Sequence, residues 1–173
     1  MAPPPVSIDA LQRLERDRFV ALFGGVFEQA PWVAEAAYRA GPFASLEALH
    51  AAMVDAMRRA PRERQLALIR AHPDLAGRAA IGGALTAASS AEQASAGLDR
   101  CTPAEFERFR DLNDRYKQKF GFPFILAVKG RTRQEVLAAF EHRLDHSTEA
   151  EFEEALNQIA RIARLRLADL IRP

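Results

Sequence analysis

Apolar residues recur every three or four positions along almost the whole chain, and no stretch alternates with a period of two for long enough to seed a sheet. Ser7 is placed to cap a short helix running through Leu14, and Phe19, Leu22 and Phe23 continue an apolar face until Gly24-Gly25 interrupts it. Pro31 opens a segment through Tyr38, and Gly41-Pro42 marks a turn. Ser45 then caps a helix carrying Leu46, Leu49, Met53 and Met57, and Pro61 starts the next, with Leu66 and Ile69 on its inner face and a stop at His72 because Pro73 follows. Three capping-box signatures predict further helix starts: Thr102-Pro103-Ala104-Glu105, Thr132-Arg133-Gln134-Glu135 and Thr148-Glu149-Ala150-Glu151. The first of these helices carries Phe106, Phe109, Leu112, Asn113, Tyr116 and Phe120, and the last carries Phe152, Leu156, Ile159, Ala163 and Leu170 on one stripe. The pattern predicts an all-α fold: one helical bundle of about eight helices over residues 1–173, without a substantial sheet, preceded by a flexible tail over 1–6.

Composition narrows what such a bundle does. A chain of 173 residues that is 49% hydrophobic buries a sizeable core, and one domain is the default at this length. The 24 basic and 23 acidic residues are interspersed and leave a net charge of +1, so there is no basic stripe to hold phosphate backbones and nucleic acid is not expected as a partner. Cys101 is the single cysteine, which excludes an internal disulfide and suits a reducing cytoplasm. No apolar run reaches the length of a membrane span, and the proline-rich start does not read as an export signal. His142 and His146 stand four apart, a spacing that chelates zinc, but no third ligand accompanies them and a solvated helix face is the expected role; no metal is predicted. The charged run Arg58 to Arg64 reads as an exposed face and Cys101 as incidental.

Four places carry candidate chemistry. Lys119 to Gly130 sets three phenylalanines beside Gly121 and Pro123 and then an apolar run. Pro123 biases Phe122 toward an extended backbone, so that Phe124 to Val128 either form a packed corner or present unpaired N–H groups to a ligand. On the last helix, at about 100° per residue, Arg166 lies only some 40° from the centre of the apolar stripe, whereas Arg161 and Arg164 point elsewhere. A guanidinium aimed inward meets an internal carboxylate, reaches water along its stem, or binds an anionic ligand. Pro73 holds His72 at a helix end, where the ring either bonds a carbonyl or serves as an acid or base in a cleft. Ser89, Glu92 and Gln93 follow Gly82-Gly83 and read as another helix start, with Ser89 as cap.

Together and in this order these features resemble the OHCU decarboxylase family, whose members act on 2-oxo-4-hydroxy-4-carboxy-5-ureidoimidazoline. The resemblance runs from Phe27-Glu28-Gln29-Ala30-Pro31-Trp32 through His72-Pro73-Asp74-Leu75-Ala76-Gly77, Leu85-Thr86, Ser89, Glu92-Gln93 and Ala96-Gly97-Leu98. It continues with Asn113, Tyr116, Lys119-Phe120-Gly121-Phe122-Pro123-Phe124 and Arg166-Leu167. It implies an all-helical fold, usually a homodimer, and cofactor-independent conversion of the ureidoimidazoline to (S)-allantoin and carbon dioxide in urate breakdown. His72 matches the family's catalytic histidine, Glu92 its partner carboxylate and Arg166 the arginine facing substrate. Pro73, Ser89, Gln93 and the main chain of Phe124, Ile125, Leu126, Ala127 and Val128 match pocket-lining positions. Gln29-Ala30 departs from the His-Ser of many relatives. The last residues are no peroxisomal address, and the preceding hydrolysis is expected from a separate chain.

The substrate carries its own electron sink, an imine carbon beside the carbon that loses carboxylate, so neither thiamine nor pyridoxal is expected. Two other readings stand beside this one: a decarboxylase or hydrolase of a related ureide, and a helical module that binds a partner protein through its Phe-rich segment.

Overall fold

The computed structural model describes residues 4–77 and 85–172. Among these, nine α-helices and a single two-stranded parallel pairing confirm the all-α expectation. The helices are α1 (Ile8–Leu11), α2 (Arg16–Phe23), α3 (Pro31–Tyr38), α4 (Leu46–Arg59), α5 (Arg62–Arg70), α6 (Ala87–Ser95), α7 (Pro103–Phe120), α8 (Arg133–Arg143) and α9 (Thr148–Leu170). The chain divides into two compact units, Met1–Ala71 with Ala160–Pro173, and His72–Ile159.

In the first unit α3 packs against α2 and α4. Phe19, Phe23, Val33, Leu49, Met53 and Met57 are buried, each apolar side chain worth about 1.5–3 kcal/mol once removed from water. Phe19 meets Phe23 edge-on at 4.9 Å between ring centres and Tyr38 at 5.2 Å, and the Tyr38 hydroxyl donates to the Leu14 carbonyl at 3.3 Å. Gly24 ends α2 where a Cβ would lie 2.6 Å from the Val20 carbonyl oxygen, which explains why a glycine stands there. Gln65 is buried and donates to the Met57 and Arg58 carbonyls at 3.1 and 3.0 Å, supplying partners for the orphan acceptors at the end of α4.

Four expectations change in this unit. The first helix stops at Leu11 rather than Leu14, because Ser7 caps only one turn before the chain bends toward α2. Val6 is not tail: Val6–Ser7 form β1 and pair in parallel with β2 (Ile171–Arg172). The inner face of α5 carries Gln65, Leu68 and Ile69, with Leu66 only half-buried, since 65, 68 and 69 share one side of the helix. The same helix ends at Arg70, two residues before His72, as Ala71 closes its last turn.

The second unit is built on α6, α7, α8 and the first half of α9. Thr102 and Thr132 both form full capping boxes with Glu105 and Glu135. Thr148 does not: the side-chain cap is Ser147, whose hydroxyl accepts from the Ala150 N–H at 3.2 Å, and Glu151 turns into the core instead. Helix α7 closes at Gly121, whose φ of 78° is the left-handed conformation that glycine adopts freely. Beyond it Phe122, Phe124 and Phe140 surround buried Tyr116, and Phe124 stacks on Phe140 at 3.9 Å with 11° between planes. His142 is in α8, whereas His146 lies past its end with Nδ1 at 2.8 Å from Glu151 Oε1, so the two do not form one helical face. No helix among the described residues is long and apolar enough to cross a membrane.

Candidate functional site

The loop that starts at His72 is fixed by polar side chains from two helices of its own unit. Gln93 on α6 accepts the Ala76 N–H at 2.9 Å through Oε1 and donates through Nε2 to the Asp74 carbonyl at 3.2 Å. Asn113 on α7 donates to the Leu75 carbonyl at 3.0 Å, and Lys117 on the same helix pairs with Asp74 at 2.6 Å. These bonds hold Ala76 at a φ of 50°, a left-handed conformation that an alanine adopts only when its surroundings impose it. His72 is itself buried, 8% exposed, two residues before the first clamped carbonyl.

Ser89 is not the cap of its helix. Thr86 takes that place, its hydroxyl accepting the Ser89 N–H at 3.2 Å, because the helix begins three residues earlier than the Ser-x-x-Glu pattern suggests. Ser89 and Gln93, four apart, therefore share the buried face of α6, and Glu92 is half-buried beside them. Both ends of the Gln93 amide hold the His72 loop and clamp it to α6. Gly82-Gly83 lie outside the described residues. The other face of the loop borders a cleft of about 390 Å³ lined by Pro73, Asp74, Phe106, Asn113 and Lys117 among others. His72, Ser89 and Glu92 are not among its described lining residues.

The segment after Pro123 has no regular secondary structure, and Phe122 to Leu126 and Val128 are buried. Its polar groups divide by residue. Arg143 Nη1 donates to the Ile125 carbonyl at 2.6 Å, Gln158 Oε1 accepts the Ala127 N–H at 3.0 Å, and Arg131 Nε donates to the Ala127 carbonyl at 3.1 Å. The N–H groups of Phe124, Ile125, Leu126 and Val128 meet no acceptor among the described residues. Buried amides are seldom left so, which makes this run the strongest indication of a ligand-binding surface in the unit. One of the five expected free amides, that of Ala127, is taken.

Arg166 belongs to the other unit. Its Nη1 donates to Glu28 Oε2 at 3.1 Å and to the Val26 carbonyl at 3.2 Å, and both side chains are buried. Of the roles open to an inward guanidinium, an ion pair with an internal carboxylate is realised, and Glu28 is that carboxylate. Arg161 and Arg164 are exposed as expected, the latter pairing with Glu47 at 3.0 Å. Cys101 is half-buried near Leu98, and burial, followed by the charge of Glu105, pushes its thiol up, away from the reactive thiolate.

Sequence reasoning missed Glu28, Arg131, Arg143, Glu151 and Gln158. Glu151 is wholly buried and accepts from Arg143 Nε and Nη2, at 3.0 and 2.7 Å to Oε2, as well as from the Tyr116 hydroxyl. Burial and the hydrogen bond to that carboxylate push the Tyr116 hydroxyl far up, so it stays protonated as a donor. A glutamate in a capping position gives no sign that it has turned inward; its partner Tyr116, on the core stripe of α7, was the available hint.

The family model described as OHCU decarboxylase matches residues 12–168. A 2-oxo-4-hydroxy-4-carboxy-5-ureidoimidazoline decarboxylase of Halalkalicoccus jeotgali is 45% identical over 97% of this chain and 93% of its own length. One of Haloferax volcanii is 46% identical over 95% of each. The crystal structure of an (S)-allantoin synthase superposes with a TM-score of 0.78 at 33% identity, covering 96% of this chain, which in turn spans 54% of that one.

Proposed function

The chain belongs to the OHCU decarboxylase family, and from that premise we propose that it decarboxylates 2-oxo-4-hydroxy-4-carboxy-5-ureidoimidazoline to (S)-allantoin and carbon dioxide, without a cofactor, in urate degradation. The observation that carries the reading is the buried His72 on a loop held rigid from α6 and α7, in the same unit as a run of buried amides that meet no acceptor among the described residues.

The chemistry follows from groups of these kinds. Backbone N–H donors of the Phe124–Val128 run take the anionic oxygens of the substrate, and the apolar walls weaken solvation of its carboxylate. Arg166, which matches the family's substrate-facing arginine, is the candidate guanidinium for the substrate's negative charge. As the carbon–carbon bond to the carboxylate breaks, its electron pair becomes a double bond to the ureido-bearing carbon. The imine π pair moves onto the nitrogen, which takes a proton. Carbon dioxide leaves behind an enol, whose hydroxyl releases its proton as the ureido-bearing carbon is protonated. His72 delivers the proton that sets the S configuration at the ureido-bearing carbon. Glu92 fixes the imidazole tautomer or accepts substrate N–H groups. Pro73 keeps the histidine's backbone extended, Ser89 lines the buried face of α6, and Gln93 holds the loop. The protein works as a homodimer in the cytoplasm, in keeping with a single cysteine and no disulfide.

The test is incubation with freshly generated substrate. An enzyme of this class accelerates loss of the ureidoimidazoline and yields one allantoin enantiomer. Loss at the spontaneous rate with racemic product overturns the proposal, and acceleration only on a neighbouring member of a ureide panel reassigns the substrate.

A further inference from the structure

We propose that Arg131 and Arg143 are positioning residues that turn the amides of Leu126 and Val128 into a charged-strength donor pair for an anionic oxygen of the substrate. The inference rests on the reading that the Phe124–Val128 main chain contacts substrate.

Each peptide unit is planar, and in its trans form the carbonyl and the N–H point in opposite directions. The Ile125 carbonyl and the Leu126 N–H are two ends of one such unit, and the Ala127 carbonyl and the Val128 N–H are two ends of another. A guanidinium sits on the carbonyl end of both: Arg143 Nη1 at 2.6 Å from the Ile125 oxygen, Arg131 Nε at 3.1 Å from the Ala127 oxygen. A cation there draws electron density toward the oxygen and leaves the opposite N–H a stronger donor. The amide between them, Ala127 N–H, is taken by Gln158, which is in turn held by Glu154 at 2.6 Å. The protein therefore secures the Ile125 carbonyl and both polar groups of Ala127, while Leu126 and Val128, both buried, keep N–H groups with no acceptor among the described residues. Two polarised donors two residues apart suit a carboxylate or a developing oxyanion.

Arg143 is held with unusual firmness. Its Nε lies 3.1 and 3.0 Å from the two oxygens of Glu151, its Nη2 2.7 Å from Oε2, and its guanidinium carbon 4.4 Å from the centre of the Phe124 ring. Tyr116 and His146 complete the shell of Glu151. A buried charge pair with these additional bonds fixes the cation in direction as well as in place.

Arg131 is half-buried and its loss leaves the aromatic core untouched, so Arg131→Ala decides the matter, with Arg131→Lys and Arg143→Lys as companions. With freshly generated ureidoimidazoline, Arg131→Ala is expected to raise KM about tenfold while kcat stays within about threefold. Free guanidinium restores part of the loss. In the amide NMR spectrum the Val128 proton moves upfield with the thermal midpoint unchanged, a response that a merely structural role does not produce. A folded Arg131→Ala and a folded Arg143→Lys that both keep wild-type KM, with the Val128 and Leu126 shifts unmoved, overturn the inference and leave the decarboxylase reading standing. A wild-type protein inert toward the ureidoimidazoline removes that reading, and this inference with it.

Discussion

Replacing Gln93 by Leu removes the clamp on the His72 loop while keeping the buried volume of α6. The Ala76 N–H is buried and loses its acceptor, the Gln93 side-chain oxygen, at a cost of about 1–3 kcal/mol, whereas the Asp74 carbonyl is partly exposed and recovers a water. Leucine returns some of this through apolar burial, so the net loss is about 2 kcal/mol, or roughly 4–8 °C in Tm for a chain of this size. The released strain at Ala76 lets the loop relax, and His72 moves with it. A misplacement of about 1 Å costs on the order of a hundredfold in turnover. Urea unfolding and steady-state kinetics on fresh substrate measure the two effects separately. Gln93→Glu is the internal control, since a carboxylate still accepts from Ala76 but cannot donate to Asp74; its kcat falls between wild type and leucine. A leucine variant that loses the stability yet keeps kcat within about twofold refutes the coupling between clamp and histidine.

Glu28→Ala strands Arg166 as a buried charge and is expected to cost about 3–5 kcal/mol in denaturant unfolding, with Glu28→Gln much milder; equal stability of Ala and wild type contradicts the pairing. Glu105 and Glu135 accept their caps' backbone N–H groups, which holds both carboxyls below their ordinary value of 4.5. A depressed folded value means that this contribution is complete above the ordinary carboxylate range and disappears as pH falls through the lowered values. The double variant Glu105→Gln, Glu135→Gln is therefore expected to have a shallower decline of Tm below pH 4.5 than wild type, and parallel curves count against it.

Helix existence was legible because capping and periodicity are local: Ser45, Thr102 and Thr132 cap where their patterns place them. The failures arise where a tertiary demand overrides a local one. Glu151 satisfies the capping pattern of Thr148, but a guanidinium, an imidazole and a phenol give a better partner set inside the core, and Ser147 assumes the cap. Ser89 satisfies a cap pattern too, yet Thr86 starts the helix and frees Ser89 for the buried face. Arg166 was visible as an inward cation from its stripe alone; Glu28, 138 residues away, has no periodic relation to it and emerged only from the fold. Likewise the free amides after Pro123 were foreseeable from proline's effect on its neighbour. The two arginines behind them were not, because carbonyl partners leave no mark in a sequence.

The central claim is that His72, on its pinned loop, delivers the proton that makes allantoin chiral. Chiral analysis of the product from His72→Asn on freshly generated ureidoimidazoline tests it most directly, with circular dichroism verifying the fold. The account predicts a folded protein whose product is racemic and forms at the spontaneous rate. Accelerated formation of a single enantiomer by that variant contradicts it.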